Sequence, residues 1–292
     1  RALMSNPAQI FSRSRVASHR ARAARQKEPT DFLLHAMAER LSDRLLDVTR
    51  SFPRALDLGA HNGLLSGYIT GRAGSELLVQ ADFCYAQIEK ASGIRVAADE
   101  ELLPFAENSF DLILSLGSLH WVNDLPGALV QIQRALKPDG LFLAMMPGGQ
   151  TLKELRDSFE QAEMLAKGGI SPRISPFVDV RDAGGLLQRA GFALPVVDSE
   201  MLTVTYAHPL KLMHDLRHMG ETNALMQSAQ HLTPCSLMMM AVDHYVRHYG
   251  TDDGRIPASF ELVTLTGWKP HASQQQPAKR GSGQVNLGDI LS

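Results

Sequence analysis

Phe32, Leu33, Ala36, Met37, Leu41, Leu45 and Leu46 recur at intervals of three and four, the spacing that gathers apolar side chains on one face of a helix over about 32–49. Pro53 stops that pattern, and the period then shortens. Short apolar runs at Arg54–Leu58, Leu77–Ala81, Arg95–Ala97, Phe110–Ser115 and Leu141–Met145 read as strands. Helical patterns at about 63–71, 84–91 and 124–136 separate them, and Lys137-Pro138-Asp139-Gly140 reads as the turn that closes the last. This alternation predicts an α/β fold, a parallel sheet with helices on both faces.

Past the fifth strand the pattern lengthens. Thr151–Lys167 reads as an amphipathic helix with Leu152, Leu155, Phe159 and Ala162 on one face and Glu154, Asp157, Glu160 and Glu163 on the other. Pro172 and Pro176 stiffen the connection to a helix over Val180–Ala190, which Gly191 ends. Residues 196–205 suit a sixth strand, 209–219 and 235–249 two more helices, and Phe260–Thr266 a seventh strand. The division expected is a basic helical arm over 1–50, one seven-stranded domain over 51–270 carrying substrate-side helices within 147–258, and a flexible tail over 271–292 that is poor in apolar residues. No internal repeat stands out.

The 292 residues carry a formal charge of −2, but that sum is uneven. Residues 1–27 hold seven basic side chains (Arg1, Arg13, Arg15, Arg20, Arg22, Arg25, Lys27) and no acid, which leaves 22 basic against 31 acidic in the remainder, a body of −9. Such an arm is expected to dock as a helix or lid over the acidic body and its ligand cleft; it has no groove-reading motif, so nucleic acid is not the expected partner. With 44% apolar and 21% charged residues the composition excludes general disorder and collagen-like structure. Cys84 and Cys235 are too few for a disulfide framework, and no run approaches the roughly 18 apolar residues of a membrane helix. The Arg- and Ser-rich, acid-free start is similar to a mitochondrial transit peptide, while Met4 reads as an alternative start with residues 1–3 a remnant.

In an open parallel sheet, ligands bind beyond the carboxyl ends of the strands. The first strand leads into Leu56-Asp57-Leu58-Gly59-Ala60-His61-Asn62-Gly63, which lacks two of the three glycines of a dinucleotide loop. Asp57 would repel a pyrophosphate but favours a ligand bearing an ammonium or a sulfonium, and S-adenosylmethionine carries both without a phosphate. Asp82 follows the second strand, where a carboxylate takes ribose hydroxyls, and Asp99 follows the third, where it accepts from an adenine amino group. Any one Asp at a strand end is ordinarily a cap or turn residue; three in succession behind a glycine loop point to the ligand.

These residues, with Asp99-Glu100-Glu101-Leu102-Leu103-Pro104-Phe105, Asn108-Ser109-Phe110-Asp111 and Leu136-Lys137-Pro138-Asp139-Gly140, resemble the class I S-adenosylmethionine-dependent methyltransferases of type 11 over about 54–146. The resemblance implies a Rossmann-like seven-stranded fold, with S-adenosyl-L-methionine held by Asp57, Gly59, Gly63, Asp82, Asp99, Glu100 and Ser115. His61 stands where that family has glycine, and a side chain there crowds the backbone against the ligand.

A narrower resemblance runs through Ile10-Phe11-x-Arg13, Leu119-His120-Trp121-Val122-Asn123-Asp124-Leu125-Pro126, Thr151-Leu152-x-Glu154-Leu155-Arg156, Ser171-Pro172-x-Ile174-Ser175-Pro176-Phe177 and Met219-Gly220-Glu221-x-Asn223. It is to the mitochondrial complex I assembly factors described as arginine hydroxylases and their bacterial relatives, and it implies action on an arginine of an iron–sulfur subunit of complex I. Part of it is shared with malonyl-acyl-carrier-protein methyltransferases, which makes an acyl carrier protein the alternative partner, and a non-catalytic assembly role is a third reading. The expected place is the mitochondrial matrix in a eukaryote or the cytoplasm in a bacterium, with any membrane association through the partner.

The two enzymatic readings need opposite pockets. A malonyl carboxylate wants Arg156 or Arg173; a guanidinium wants carboxylates, for which Glu154 and Asp157 on the acidic helix face stand ready, although a solvated helix face is the plainer account. His120 and Trp121 follow the fourth strand beside the methyl-donor position, His120 as orienting group or base and Trp121 as a wall, or both simply as core. Hydroxylation usually calls for a redox metal or flavin, but the pairs His214/His218 and His244/His248 have no matched third ligand, so no metal site is expected.

Overall fold

The computed structural model describes residues 9–28, 30–72, 74–228 and 232–275. The first eight residues, and the expected tail beyond residue 275, lie outside them. Two helices come first, α1 (Arg13–Ala24) and α2 (Phe32–Leu46). There follow β1 (Arg54–Leu58), α3 (Leu64–Ile69), β2 (Leu77–Asp82), α4 (Tyr85–Ile88), β3 (Ile94–Ala97), β4 (Phe110–Leu116), α5 (Leu125–Ala135) and β5 (Leu136–Pro147). The last part is α6 (Lys153–Lys167), α7 (Val180–Arg189), β6 (Ala193–Tyr206), α8 (Pro209–Met219), α9 (Cys235–Tyr249) and β7 (Ile256–Trp268).

All seven strands join one sheet in the order β3-β2-β1-β4-β5-β7-β6. The first five are mutually parallel, and β7 lies antiparallel between β5 and β6, so one strand departs from the parallel arrangement expected. The order reverses between β1 and β4, and the loops after these two strands open the crevice where such sheets take ligands.

Strand side chains alternate between two cores. Ala55, Leu112, Leu114, Leu141 and Leu143 face α2, α6, α8 and α9. Leu56, Leu58, Ile113, Phe142 and Ala144 face α5 and α7. Period-two alternation therefore sends every second residue to each layer. In α2, Leu33, Met37, Leu41 and Leu45 are buried as the spacing predicts, each burial contributing about 1.5–3 kcal/mol, whereas Leu46 is exposed and the helix stops there rather than near 49.

The expected turn at 137–140 is instead the start of β5. Leu136 pairs with Phe110, the register shifts between Phe110 and Leu112, and Asp139 takes a positive φ of 65° within the irregular stretch. The acidic face of α6 is not a solvated surface either. Glu154 and Glu163 are buried, because α9 and β7 pack on that helix from a side that local spacing does not reveal.

Candidate active site

Gly59 and Gly63, in the loop leaving β1, both have positive φ (75° and 81°), and a Cβ on Gly59 would stand 2.1 Å from Ser118 Cβ. Only glycine allows that approach between the ends of β1 and β4. His61 also lies in the left-handed region at φ 51°, and its buried ring shares a hydrogen bond through Nε2 with the Leu116 carbonyl oxygen at 3.0 Å. Burial, reinforced by Arg20, pushes its pKa below the usual histidine range.

Within β1, Asp57 is fully buried and neither carboxylate oxygen has a hydrogen-bond partner. Burial, with the Asp82 charge added, pushes its pKa up to about 8. Asp82 at the end of β2 is equally buried; it accepts from the backbone N–H of His61 (3.0 Å) and Cys84 (2.7 Å) and from Arg20 Nη1 (3.3 Å). After β3, Asp99 and Glu100 accept from Arg13 Nη2 at 2.6 and 2.5 Å, and Glu100 also accepts from the Ser118 hydroxyl. Burial works against the Arg13 charge, but Glu100 and Asp99 outweigh it and raise its pKa. Ser115, near the end of β4, pairs with Leu58, and its buried hydroxyl has no partner.

The fold thus brings Asp57, Gly59, Gly63, Asp82, Asp99, Glu100 and Ser115 to one edge of the sheet. An orphaned buried carboxylate, further carboxylates for hydroxyl and amino donors, and close-approach glycines suit a cationic, hydroxyl-bearing ligand without phosphates.

A short 3-10 turn at Leu119–Trp121 follows β4 and buries His120 and Trp121. Both meet one carboxylate oxygen: Glu221 Oε2 lies 3.0 Å from His120 Nε2 and 3.1 Å from Trp121 Nε1. Glu221 is set by the end of α8, where Gly220 at φ 85° lets the Glu221 N–H reach back to the Leu216 carbonyl at 2.9 Å. Burial alone would raise the pKa of Glu221, but the adjoining His120 holds it below the usual carboxylate range. Sequence reasoning did not single Glu221 out, although a helix-stopping glycine followed at once by a carboxylate in Met219-Gly220-Glu221 was the available signal.

These groups line a chamber of about 250 Å³ bounded by side chains such as Met37, Leu155, Phe159, Met213 and Leu216. Its charged lining is Glu221 and Arg173, with His61 and His120. Arg173 is already engaged: its Nε and Nη2 lie 2.8 and 2.7 Å from Glu163 Oε1, and its Nη1 donates to the Thr233 hydroxyl at 2.8 Å. Arg156 points instead to the carbonyl oxygens of Gly149 and Thr151 and lines a separate surface groove. Glu154 accepts from the N–H and hydroxyl of Ser259, and Asp157 from the Tyr249 hydroxyl, so neither belongs to the chamber wall. Among the described residues no group of three or more His, Cys, Asp or Glu is placed to hold a metal; the ring centroids of each pair lie 3.9 Å apart, with His214/His218 tilted by 42° and His244/His248 stacked.

Comparison with known proteins gives a consistent picture. The family model described as a methyltransferase domain matches residues 56–144. Over 96% of this chain and 83% of its own length, arginine-hydroxylase NDUFAF5, mitochondrial, of Homo sapiens is 43% identical. A malonyl-[acyl-carrier protein] O-methyltransferase of Methylovorus sp. (strain MP688) is 31% identical over 94% of the chain and 95% of its own length. Among solved structures, the YcgJ protein of Bacillus subtilis superposes with a TM-score of 0.55 at 17% identity, covering 79% of this chain and 98% of that one, a likeness of fold.

Proposed function

Since the chain belongs to the methyltransferase-domain family that includes the NDUFAF5 arginine hydroxylases, we propose that it is an S-adenosyl-L-methionine-dependent-fold enzyme that modifies an arginine side chain of a protein, a complex I iron–sulfur subunit in the course of assembly. The observation that carries this reading is Glu221, the carboxylate of an otherwise largely apolar chamber. A guanidinium entering there meets a carboxylate acceptor and the Trp121 ring, the pairing that stabilises an arginine out of water. Among the described residues no protein hydrogen bond reaches Glu221 Oε1, so that oxygen is available as the acceptor.

When bound, S-adenosyl-L-methionine supplies a sulfonium-activated methyl group. The chain's own contribution is to align and desolvate. His120 and Trp121 hold the Glu221 carboxylate in place, and the apolar wall around Leu155, Phe159 and Met213 excludes water. Hydroxylation of the arginine in place of methylation consumes dioxygen, two electrons from a reductant and two protons: one oxygen atom enters a C–H bond of the arginine and the other leaves as water. Methylation of a malonyl thioester is the less supported reading, because Arg156 lies outside the chamber and the Arg173 charge is met by Glu163. In this reading the protein works in the mitochondrial matrix of a eukaryote or the cytoplasm of a bacterium, and contact with a membrane runs through the partner.

Mass spectrometry of the iron–sulfur subunits of complex I from a deletion strain tests the proposal. Re-expression of the parent chain should restore an arginine carrying about +16 Da for hydroxylation, or about +14 Da for methylation, and Glu221→Gln should not. The same arginine modified to the same extent in the deletion strain would sink it.

A further inference from the structure

Asp57 apart, the carboxylates that suit the cofactor are met by the chain's own side chains. Helix α1 lies across the carboxyl edge of the sheet, and Arg20, only 1% exposed, is the largest fully buried side chain described. Its Nη1 lies 3.3 Å from Asp82 Oδ2 and 3.7 Å from Glu100 Oε1, and its Nη2 donates to the Ser118 hydroxyl at 3.2 Å. Asp82 is the expected ribose acceptor. Beside it the Phe83 ring offers the face on which an adenine would stack, and the Arg13 guanidinium carbon sits 4.1 Å from its centroid, with that of Arg20 at 4.9 Å. Arg13 also takes Asp99 and Glu100, the expected adenine-side acceptors. At the other end, His61 Nε2 pairs with the Leu116 carbonyl at the end of β4, beside the glycine loop where a methionine ammonium needs an acceptor.

We propose that the N-terminal helix is a built-in competitor of the cofactor: Arg13 and Arg20 stand in for adenosine, His61 for the methionine end, and S-adenosyl-L-methionine binds only as these side chains withdraw. This deepens the cofactor assignment and rests on it. Two cations and a planar cofactor cannot share the half-buried Phe83 ring and the same carboxylates. The helix is held by contacts that a ligand can break one at a time. The N–H groups of Ile10 and Phe11 donate to Asn123 Oδ1 at 2.8 Å each, the Ser12 N–H to the Ala224 carbonyl at 2.8 Å, and Gln87 Nε2 to the Arg20 carbonyl at 3.1 Å. The second half is held besides by Lys90 Nζ on the Ala24 carbonyl, by Arg22 Nη2 on the Thr222 hydroxyl at 2.9 Å and by His19 Nδ1 on the Thr222 carbonyl at 3.2 Å, so that half lifts only as these break, while the start stays tethered. His61 belongs to the same device, because its backbone N–H donates to the same Asp82 oxygen, Oδ2, that Arg20 meets.

Competition and a lid that closes over the cofactor predict opposite signs. Calorimetric titration of the full chain with S-adenosyl-L-methionine should give affinity about tenfold tighter for Arg20→Met than for the parent, as expected if the docked helix leaves roughly one molecule in ten competent. His61→Gly, which relieves a positive-φ side chain, should also tighten binding. Limited trypsin digestion of the parent supplies a readout that needs no variant: saturating cofactor should speed cleavage at Arg20, Arg22 and Arg25. Weaker or unchanged binding by both variants, or protection of these sites by cofactor, overturns the proposal. Absence of binding by the parent and both variants overturns the cofactor assignment itself, and the competition with it.

Discussion

Replacing Asp57 by Asn tests the electrostatics of the cleft directly, because Asp57 is fully buried, lacks any hydrogen-bond partner and lies beside the Asp82 charge. Its carboxyl is raised from 3.8 to about 8, so the folded chain binds this proton more tightly than the unfolded chain does. Below about pH 4 both states are protonated and nothing is lost. As pH rises from there through about 8 the unfolded state ionises freely and the folded state does not, and stability falls by up to ~1.4 kcal/mol per pH unit, on the order of 5 kcal/mol in all. The amide introduced by Asp57→Asn carries no charge at any pH and has nearly the same shape, so that loss disappears. Urea unfolding of parent and Asp57→Asn at steps between about pH 5 and pH 9 should show stabilities that lie closest at the acid end and diverge in favour of the variant toward the alkaline end. Parallel curves across the whole range would refute the reasoning. The same logic bears on ligand binding: near neutral pH the parent is mostly protonated at Asp57, and a sulfonium or ammonium beside it favours the ionised form. Cofactor binding should therefore release close to one proton, seen as a binding enthalpy that changes with the ionisation enthalpy of the buffer.

Three other outcomes are expected from particular contacts. Glu221→Gln keeps an acceptor for His120 and Trp121 but removes the charge; arginine modification should drop by about a hundredfold or more while urea unfolding moves by only about 1–2 kcal/mol. Arg173→Met takes from Glu163, itself 1% exposed, the nearer of its two counter-charges and leaves Lys167 Nζ at 3.8 Å, and chemical denaturation should register a loss of about 2–4 kcal/mol. Burial raises the Glu163 carboxyl, but Ser171 and Arg173 outweigh it and hold its pKa low, so stability from this group is present above the ordinary carboxylate range and lost as pH falls through the lowered value; the variant should lose it at a higher pH. By contrast, Arg40→Ala and Arg44→Ala remove half-exposed pairs with Glu200 and Asp198 on β6, each costing less than about 1 kcal/mol, and less again in high salt.

Much of the cleft was legible in the sequence because it is built from residues at strand ends. A strand announces itself by a short apolar run, and the residues at its carboxyl end must lie at the sheet edge, so Asp57, Asp82 and Asp99 could be placed together before any contact was known. Helix faces were harder. In α6 the spacing separates an apolar face from an acidic one, but it cannot tell that Ser259 would meet Glu154, or that Ser171 and Arg173 would meet Glu163. Glu221 is visible in the sequence only as part of Met219-Gly220-Glu221-x-Asn223: nothing near it in the chain marks it as a partner of His120 and Trp121.

Local period and composition were enough to place the seven strands, the helices between them, the acidic strand ends and the charge asymmetry of arm and body. Tertiary structure alone decided which charges meet. Arg20 reaches Asp82 across 62 positions and Glu221 reaches His120 across 101, and such pairings depend on the path of the backbone through the fold. Burial then makes them consequential, because a charge removed from water must find a partner or lose its proton. A basic arm of seven charges is a property of the sequence; that Arg13 and Arg20 of this arm lie in the cleft, on the carboxylates suited to a cofactor, is a property of the folded chain.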